Sequence, residues 1–133
     1  MGGLIVGLRG EARLVVTEDD TAAKYGSGLV AGFATPALVA LMEGASVAAI
    51  HDHLDASETS VGVQVDIKHL APIPVGMGVI AKAELLEVDG RRLRFKVEAW
   101  DDVEKIAEGT HLRAIINSAR FNERLKEKKG SVG

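Results

Sequence analysis

The sequence predicts an α+β domain in which an antiparallel sheet of about five strands wraps around one long helix. A single apolar stretch, PALVALMEGASVAAI, runs from Pro36 to Ile50 with Glu43 as its only charged residue. Its large apolar side chains point in most directions around a helical wheel, so the helix has to be covered on most sides. After this stretch the pattern changes from helical spacing to alternation of apolar and polar residues. A sheet wrapped around the helix is the simplest cover.

The composition fits one domain and excludes several kinds of function. The chain has 133 residues, and 47% of them are hydrophobic, which is enough to build a core. A net charge of −3 gives no reason to expect a nucleic-acid partner. The absence of cysteine excludes disulfides, thiolate metal sites and a cysteine nucleophile. We therefore expect a single domain over residues 1–133.

No segment of the sequence predicts export or membrane insertion. The N-terminal MGGLIVGLRGEA has too short an apolar run, and too little positive charge before it, for a signal peptide. The uncharged residues 25–42 are broken by three glycines and Pro36. A helix that begins at Pro36 is too short to span a bilayer and has Glu43 near its middle. We expect no membrane partner and a cytoplasmic location.

The first half of the chain reads as strand, loop and helix. Residues 11–17 predict a strand, and residues 18–33, rich in Gly and small side chains, predict an irregular loop or short helix. Thr35 then supplies an N-cap hydroxyl, and Pro36 fits the first helical position. The helix is expected to extend to about Leu54.

The second half of the sequence predicts four consecutive strands. An Asp89-Gly90 pair predicts a two-residue hairpin between the second and third of them. The last strand covers about residues 104–118, and the charged tail, residues 121–133, predicts a short surface helix that frays. The alternating apolar positions are Val61, Val63, Val65 and Ile67; Val79, Ala81, Ala83 and Leu85; and Leu93, Phe95, Val97 and Ala99.

Small residues on the helix and the small sheet together predict a homodimer. Ala40, Gly44 and Ala48 are spaced by four and form a stripe where another backbone could approach closely. One helix and five strands leave exposed strand edges and a largely uncovered face. Such a chain is expected to pair with a second copy.

Glu43 is the residue that most needs an explanation. Its helical neighbours one turn away are Val39, Ala40, Ser46 and Val47, so no Lys or Arg can pair with it along the helix. An unpaired buried carboxylate costs several kcal/mol. Glu43 must therefore find a partner elsewhere, take up a proton or take part in chemistry.

His69 is the first candidate to meet Glu43. It ends the strand after the helix, in phase with Val65 and Ile67. If no bulge intervenes, its imidazole points to the face that covers the helix. A core histidine with satisfied hydrogen bonds is the alternative interpretation.

Thr35 has two interpretations as well. A Thr-Pro pair at a helix start is an ordinary cap. Alternatively, the hydroxyl and the free amides of the helix start bind an anion or an oxyanion. Thr35 and Glu43 are eight residues apart, roughly 12 Å along a helix axis. A site that uses both needs a water, a bound substrate or a second subunit.

The remaining polar clusters give weaker indications of a functional site. His51 and His53 would point about 160° apart on a helix, so they cannot chelate a metal together there. The glycines in residues 26–32 lack phosphate-loop spacing. The basic residues in 91–96 are a solvated face or hold a phosphate-bearing ligand. We expect no metal and no cofactor.

Four stretches of the chain, in their order and spacing, are similar to a known family. They are ATPALVALMEGA, SVGVQVDIKHLAPIPVGM, EVDGRRLRFKVEAWD and EKIAEGTHLRAII. Over about residues 9–122 they resemble the hotdog-fold acyl-CoA thioesterases, in the group that includes fluoroacetyl-CoA thioesterase. The resemblance implies a hotdog fold, a homodimer with active sites at the subunit interface, and hydrolysis of an acyl-CoA thioester to a carboxylic acid and free CoA.

The resemblance also implies which residues form the site. The family's catalytic Thr, Glu and His fall on Thr35, Glu43 and His69, and a Gly and an Arg of its substrate site fall on Gly62 and Arg113. Glu43 would attack the thioester carbonyl or activate a water to do so. His69 would orient the water or carry the proton, while Thr35 and Gly62 would position the substrate and the developing oxyanion.

Two features separate the chain from the fluoroacetyl-CoA enzyme. That enzyme has an aromatic-rich lid before the helix, whereas this chain has the Gly-rich KYGSGLVAGF, and it has Gly where this chain has Pro36. The resemblance therefore implies a thioesterase without fixing the acyl group or the thiol carrier.

Three other functions remain open. The chain could bind acyl-CoA without hydrolysing it. It could be a hotdog hydratase or dehydratase, although Thr35 argues against that. It could also be a structural dimer in which Glu43 only pairs with Arg113 or with a cation of another subunit.

Overall fold

The computed structural model describes residues 3–132, which form a five-stranded antiparallel sheet and one long helix. Two other α-helices and two 3-10 turns, Glu18–Asp20 and His51–His53, are also present. The strands are β1 (Arg9–Val15), β2 (Glu58–His69), β3 (Gly78–Asp89), β4 (Arg92–Asp101) and β5 (Lys105–Asn117), and the helices are α1 (Ala22–Tyr25), α2 (Thr35–Ile50) and α3 (Ser118–Gly130).

The strands lie in the order β1-β3-β4-β5-β2, and all neighbours are antiparallel. The predicted hairpin joins β3 and β4, but its loop is Gly90–Arg91 because Asp89 still pairs with Arg92. Gly90 adopts a φ of 61°, which glycine reaches without strain. β1 and β2 are the two edges of the sheet.

The core lies between the sheet and one side of α2. The helix packs mainly on β1 and β3. Gly10 on β1 is needed for this packing, because a Cβ there would run into the backbone of Ala45 and Ala49. The fully buried side chains include Leu38, Met42 and Ile50 of the helix and Leu85, Leu93, Phe95, Val97 and Ile106 around it.

The opposite side of α2 is open in the single chain. Ala40, Gly44, Val47 and Ala48 are exposed along it. The expectation that the helix is covered on most sides is therefore wrong for one copy of the chain, because the sheet closes over only one face. The predicted stripe of small residues lies on this open face.

A bulge in β2 changes the predicted pattern of that strand. The pairing with β5 shifts by one residue between Gly62 and Gln64. As a result Gly62 shares a face with Val65 and His69, while Val61 lies on the other face. The expected single row of valines is wrong before the bulge and right after it, so His69 does point to the inner face.

The ends of the helices differ modestly from the predictions. α2 ends at Ile50, and the chain continues as a 3-10 turn through His53 instead of an α-helix to Leu54. The charged tail forms helix α3, capped by Asn117, whose side chain accepts from the amide of Arg120. None of the helices described between residues 3 and 132 is long and apolar enough to cross a membrane.

Candidate active site

Thr35 and His69 form a hydrogen-bonded pair at the start of α2. The hydroxyl Oγ1 of Thr35 lies 2.8 Å from Nδ1 of His69. Ala34 occupies the N-cap position, and no side chain within residues 3–132 caps the helix. The interpretation of Thr35 as a cap is therefore wrong, because its hydroxyl is committed to the imidazole of β2.

The imidazole of His69 is partly desolvated. Its Nε2 is buried and has no hydrogen-bond partner within residues 3–132. Burial lowers the pKa of His69, and the nearby backbone of Ala71 opposes this effect only in part. His69 is therefore neutral near pH 7, with Nδ1 on Thr35 and Nε2 covered but unpaired within the described residues.

A cleft of about 410 Å³ opens beside this pair. Residues of the Gly-rich segment 27–32 form one wall, and the stretch after β2 forms the other. Apart from Thr35 and His69, the lining is mostly apolar and includes Ala22, Val30, Phe33, Leu70, Ala71 and Pro72. The cleft thus presents three polar side chains, Ser27, Thr35 and His69, in largely apolar surroundings, as small-molecule sites generally do.

Glu43 lies in a second cluster, further along α2. Its Oε2 is 3.5 Å from Nη1 of Arg113, and its side chain is 38% exposed. The partner that the helix itself cannot supply comes from β5. The long distance and the exposure leave the carboxylate paired but open to solvent on one side.

Arg113 is buried and firmly held. It is 6% exposed, donates from Nε to Ser60 Oγ at 2.8 Å, and donates from Nη2 to the Ser60 carbonyl at 2.9 Å. Burial lowers its pKa, and the carboxylate of Glu43 opposes this. A guanidinium stays charged in proteins, so Arg113 is a fixed positive charge beside Glu43.

Gly62 makes room for Glu43. A Cβ at Gly62 would lie 2.5 Å from Oε2 of Glu43 and 3.5 Å from Cε1 of His111. The first distance is too short for any real contact. A side chain at this position would therefore displace the Glu43 carboxylate from where it lies.

His111 completes the cluster and was missed by the sequence analysis. It is 1% exposed. Its Nδ1 lies 2.9 Å from the carbonyl of Gln64, and its Nε2 lies 3.2 Å from Nη1 of Arg113. The available signal was its spacing: His111 is two residues before Arg113 on β5 and therefore shares its face.

The two clusters are separated within one chain. Thr35 and Glu43 are roughly 12 Å apart along α2. On β2, His69 lies four residues after Val65, the residue that pairs with His111, which is roughly 13 Å along a strand. The structure thus brings Thr35 to His69, and Glu43 to Gly62, Arg113 and His111. The expected meeting of His69 with Glu43 does not occur inside a single chain.

The histidines after α2 belong to neither cluster. His51 and His53 lie in the 3-10 turn that follows the helix. In the described part of the chain, no group of three or more His, Asp or Glu side chains is placed to hold a metal ion.

Comparison with protein families gives a match over most of the chain. The model of the fluoroacetyl-CoA-specific thioesterase family matches residues 16–119. The fluoroacetyl-CoA thioesterase of Streptantibioticus cattleyicolor is 43% identical over 96 residues, which cover 72% of this chain and 69% of that protein.

Solved structures extend the similarity to nearly the whole fold. A Thr-to-Ser variant of the fluoroacetyl-CoA thioesterase, in complex with acetyl-CoA, is 36% identical with a TM-score of 0.88 and covers 94% of this chain and 98% of its own. A Thermus thermophilus thioesterase superfamily member is 29% identical with a TM-score of 0.88, over 98% and 99% of the two chains. The chain therefore has the hotdog fold that the sequence predicted.

Proposed function

Because the chain belongs to the fluoroacetyl-CoA-specific thioesterase family, we propose that it hydrolyses an acyl-CoA thioester to a carboxylic acid and free CoA. The observation that best supports the proposal is the environment of the Glu43 carboxylate. Its carboxylate is fixed on one oxygen by the buried Arg113 and is open to solvent beside Gly62. A carboxylate enclosed in a dry ion pair would instead favour a purely structural role for Glu43.

Glu43 has two possible roles in this reaction. As a general base it would take a proton from water while the water oxygen bonds to the thioester carbonyl carbon; the C–S bond then breaks and the CoA sulfur receives a proton. As a nucleophile, an oxygen of Glu43 would bond to that carbon, expel CoA and leave an anhydride for water to hydrolyse. Rapid quenching followed by mass spectrometry would detect an acyl group on Glu43 only in the second case.

Thr35 and His69 are proposed to act on the substrate carbonyl and on proton transfer. Their hydrogen bond fixes the imidazole at the wall of the cleft, and Nε2 of His69 has no competing partner among the described residues. In this proposal Nε2 of His69, which is covered in the single chain, orients water or carries the proton to the leaving sulfur. The hydroxyl of Thr35, Gly62 and nearby backbone amides would position the substrate and the developing oxyanion.

A homodimer would join the two clusters into one site. β2 is an edge strand of the described sheet, and Val63 on it is 46% exposed. Two β2 strands paired antiparallel about a two-fold axis would place the His69 end of one beside the Ser60–Gly62 end of the other. The Thr35–His69 pair of one copy would then face the Glu43–Arg113 pair of the second, which removes the separation of roughly 12 Å along α2.

A heterodimer tests this shared site. One subunit carries Glu43→Gln and the other carries His69→Ala, and differently tagged copies are purified as the mixed dimer. If each site takes Glu43 from one copy and His69 from the other, one of the two sites is intact, and about half of the wild-type activity returns. If each site lies within one chain, both sites are damaged and the mixed dimer is no more active than the variants.

Thiol release from a panel of acyl-CoAs tests the activity itself. The panel includes fluoroacetyl-CoA, acetyl-CoA and longer acyl groups, since the cleft does not fix the acyl group. We expect release by the wild type and its loss in Glu43→Gln, with Glu123→Gln on the exposed face of α3 as the matched control. A fully active Glu43→Gln enzyme would refute the mechanism. Tight binding of acyl-CoA without thiol release would favour a non-catalytic binding module.

A cytoplasmic location is part of this proposal. A chain without cysteine has no disulfide that would need an oxidising compartment. Cell fractionation with detection of the protein in the membrane or exported fraction would contradict it.

A further inference from the structure

We propose that His111 is a positioning residue whose neutral imidazole, protonated on Nδ1 alone, holds the Arg113 guanidinium against Glu43. The proposal rests on the proposed function for its effect on catalysis, but the protonation state can be measured without any activity. It concerns a residue outside the catalytic set named above.

The two hydrogen bonds of His111 determine where its proton is. Nδ1 lies 2.9 Å from the carbonyl oxygen of Gln64, and a carbonyl can only accept, so Nδ1 carries the hydrogen. Nε2 lies 3.2 Å from Nη1 of Arg113, and a guanidinium can only donate, so Nε2 must present its lone pair. Only the neutral ring with its hydrogen on Nδ1 satisfies both partners.

The groups around the ring favour the neutral form. Burial lowers the pKa of His111; the Gln64 carbonyl and Glu43 act in the opposite direction, and the charge of Arg113 adds to the lowering. Phe95 of β4 contributes an apolar ring whose centre is 6.2 Å from that of His111. The 3.9 Å approach of Nε2 to Glu43 is therefore not an ion pair, since that nitrogen carries no hydrogen.

A continuous chain of hydrogen bonds follows from this assignment. The bulged part of β2 supplies the Gln64 carbonyl, which fixes the ring of His111; the ring accepts from Nη1 of Arg113; and the same Nη1 donates to Glu43. Ser60 holds the other side of the guanidinium. Without an acceptor at Nε2, one hydrogen of the buried Nη1 would have no partner among the described residues, and Ser60 alone would fix the orientation of the guanidinium toward Glu43.

Substitutions at His111 separate positioning from packing. His111→Phe keeps the ring volume but removes the acceptor, and we expect kcat/KM to fall about 10- to 100-fold, the range for one hydrogen bond to a charged group. The loss should lie in kcat, because Glu43 acts in the chemical step. His111→Gln can accept at a similar position and should restore most of the activity. His51→Phe, on the exposed turn after α2, is the matched control.

Three results would overturn the proposal. One is a folded His111→Phe enzyme with unchanged kcat, and another is a His111→Gln enzyme as impaired as a folded His111→Phe enzyme. The third is independent of turnover: long-range ¹H–¹⁵N NMR of the labelled wild type at pH 7 should show hydrogen on Nδ1 of His111 only. Hydrogen on Nε2 refutes the proposal even if thioesterase activity is present, and absence of activity with hydrogen on Nδ1 only refutes the proposed function alone.

Discussion

At the scale of single residues, the position of Glu43 depends on a side chain that is missing opposite it. Gly62→Ala would place a Cβ 2.5 Å from Oε2 of Glu43. The carboxylate is the end of a flexible side chain, so we expect it to swing away while the fold persists. The expected result is a loss of kcat/KM on the order of tenfold or more, with a free energy of unfolding within about 1 kcal/mol of the wild type.

Gly130→Ala is the matched control for this substitution. A Cβ at Gly130 meets no other atom within 4 Å in the described part of the chain. Steady-state kinetics and urea unfolding of the two variants give the comparison. Equal activity of Gly62→Ala and Gly130→Ala would mean that the space at Gly62 is not needed for catalysis.

The imidazoles of His69 and His111 make stability depend on pH in a defined direction. Burial lowers the pKa of both His69 and His111 in the folded chain. The unfolded value is about 6.5, so as pH falls the unfolded chain binds these protons first. The neutral imidazoles make their full contribution to stability above about pH 6.5. This contribution is lost as the pH falls from the pKa of the unfolded chain to that of the folded chain.

We therefore expect the free energy of unfolding to decrease from pH 7 to pH 5, as measured by urea unfolding. A double variant, His69→Gln with His111→Gln, should flatten this part of the profile. The matched control is the double variant His51→Gln with His53→Gln, in the 3-10 turn after α2. If the first double variant keeps the wild-type slope, groups other than His69 and His111 cause the pH dependence.

At the scale of secondary-structure elements, the contact of β1 with α2 sets how closely the sheet can approach the helix. Gly10 lies against the backbone of Ala45 and Ala49, which cannot move aside as a side chain can. We expect Gly10→Ala to destabilise the chain by about 1–3 kcal/mol, the cost of overpacking a core. Gly3→Ala, where a Cβ meets no described residue within 4 Å, is the control. Equal urea midpoints would contradict the close packing.

The bulge in β2 is the element that assembles the Glu43 cluster. It turns Gly62 to the inner face and supplies the carbonyl that His111 uses. The alternation of valines gave no sign of it, because a single extra residue leaves the pattern of hydrophobic residues intact on each side. The resemblance pointed to Gly62, but only the register explains why that position has no side chain.

At the scale of the whole molecule, the open face of α2 and the free edge of β2 predict association. The wild type is expected to have twice the chain mass of 14.0 kDa in multi-angle light scattering. Val63→Lys places a charge on the β2 edge, which natural sheets use to prevent edge pairing. We expect this variant to become monomeric and to lose activity together with the second copy.

Val103→Lys is the control for the dimer prediction. Val103 lies in the turn between β4 and β5 and is 75% exposed. Its variant should remain a dimer with wild-type activity. A wild type that is monomeric and fully active would contradict both the dimer and the shared site.

The sequence by itself determined the order of the elements and the identity of the central helix. A run of apolar residues around a lone Glu43, followed by alternation in four strands, leaves few arrangements that bury the helix. The alternation of residues along β2 after the bulge was also enough to predict that His69 points to the inner face. These features are local, because spacing along the chain sets which way side chains point.

Only the tertiary structure decided which polar groups meet. Thr35 could have been a cap, and it is instead the partner of His69; Glu43 could have met His69, and it pairs with Arg113. These contacts join residues 34 and 70 positions apart in the chain. They depend on strand register and on how the helix crosses the sheet. Neither the register nor the crossing of the helix can be deduced from the periodicity of a single segment, because both arise when separate segments pack together.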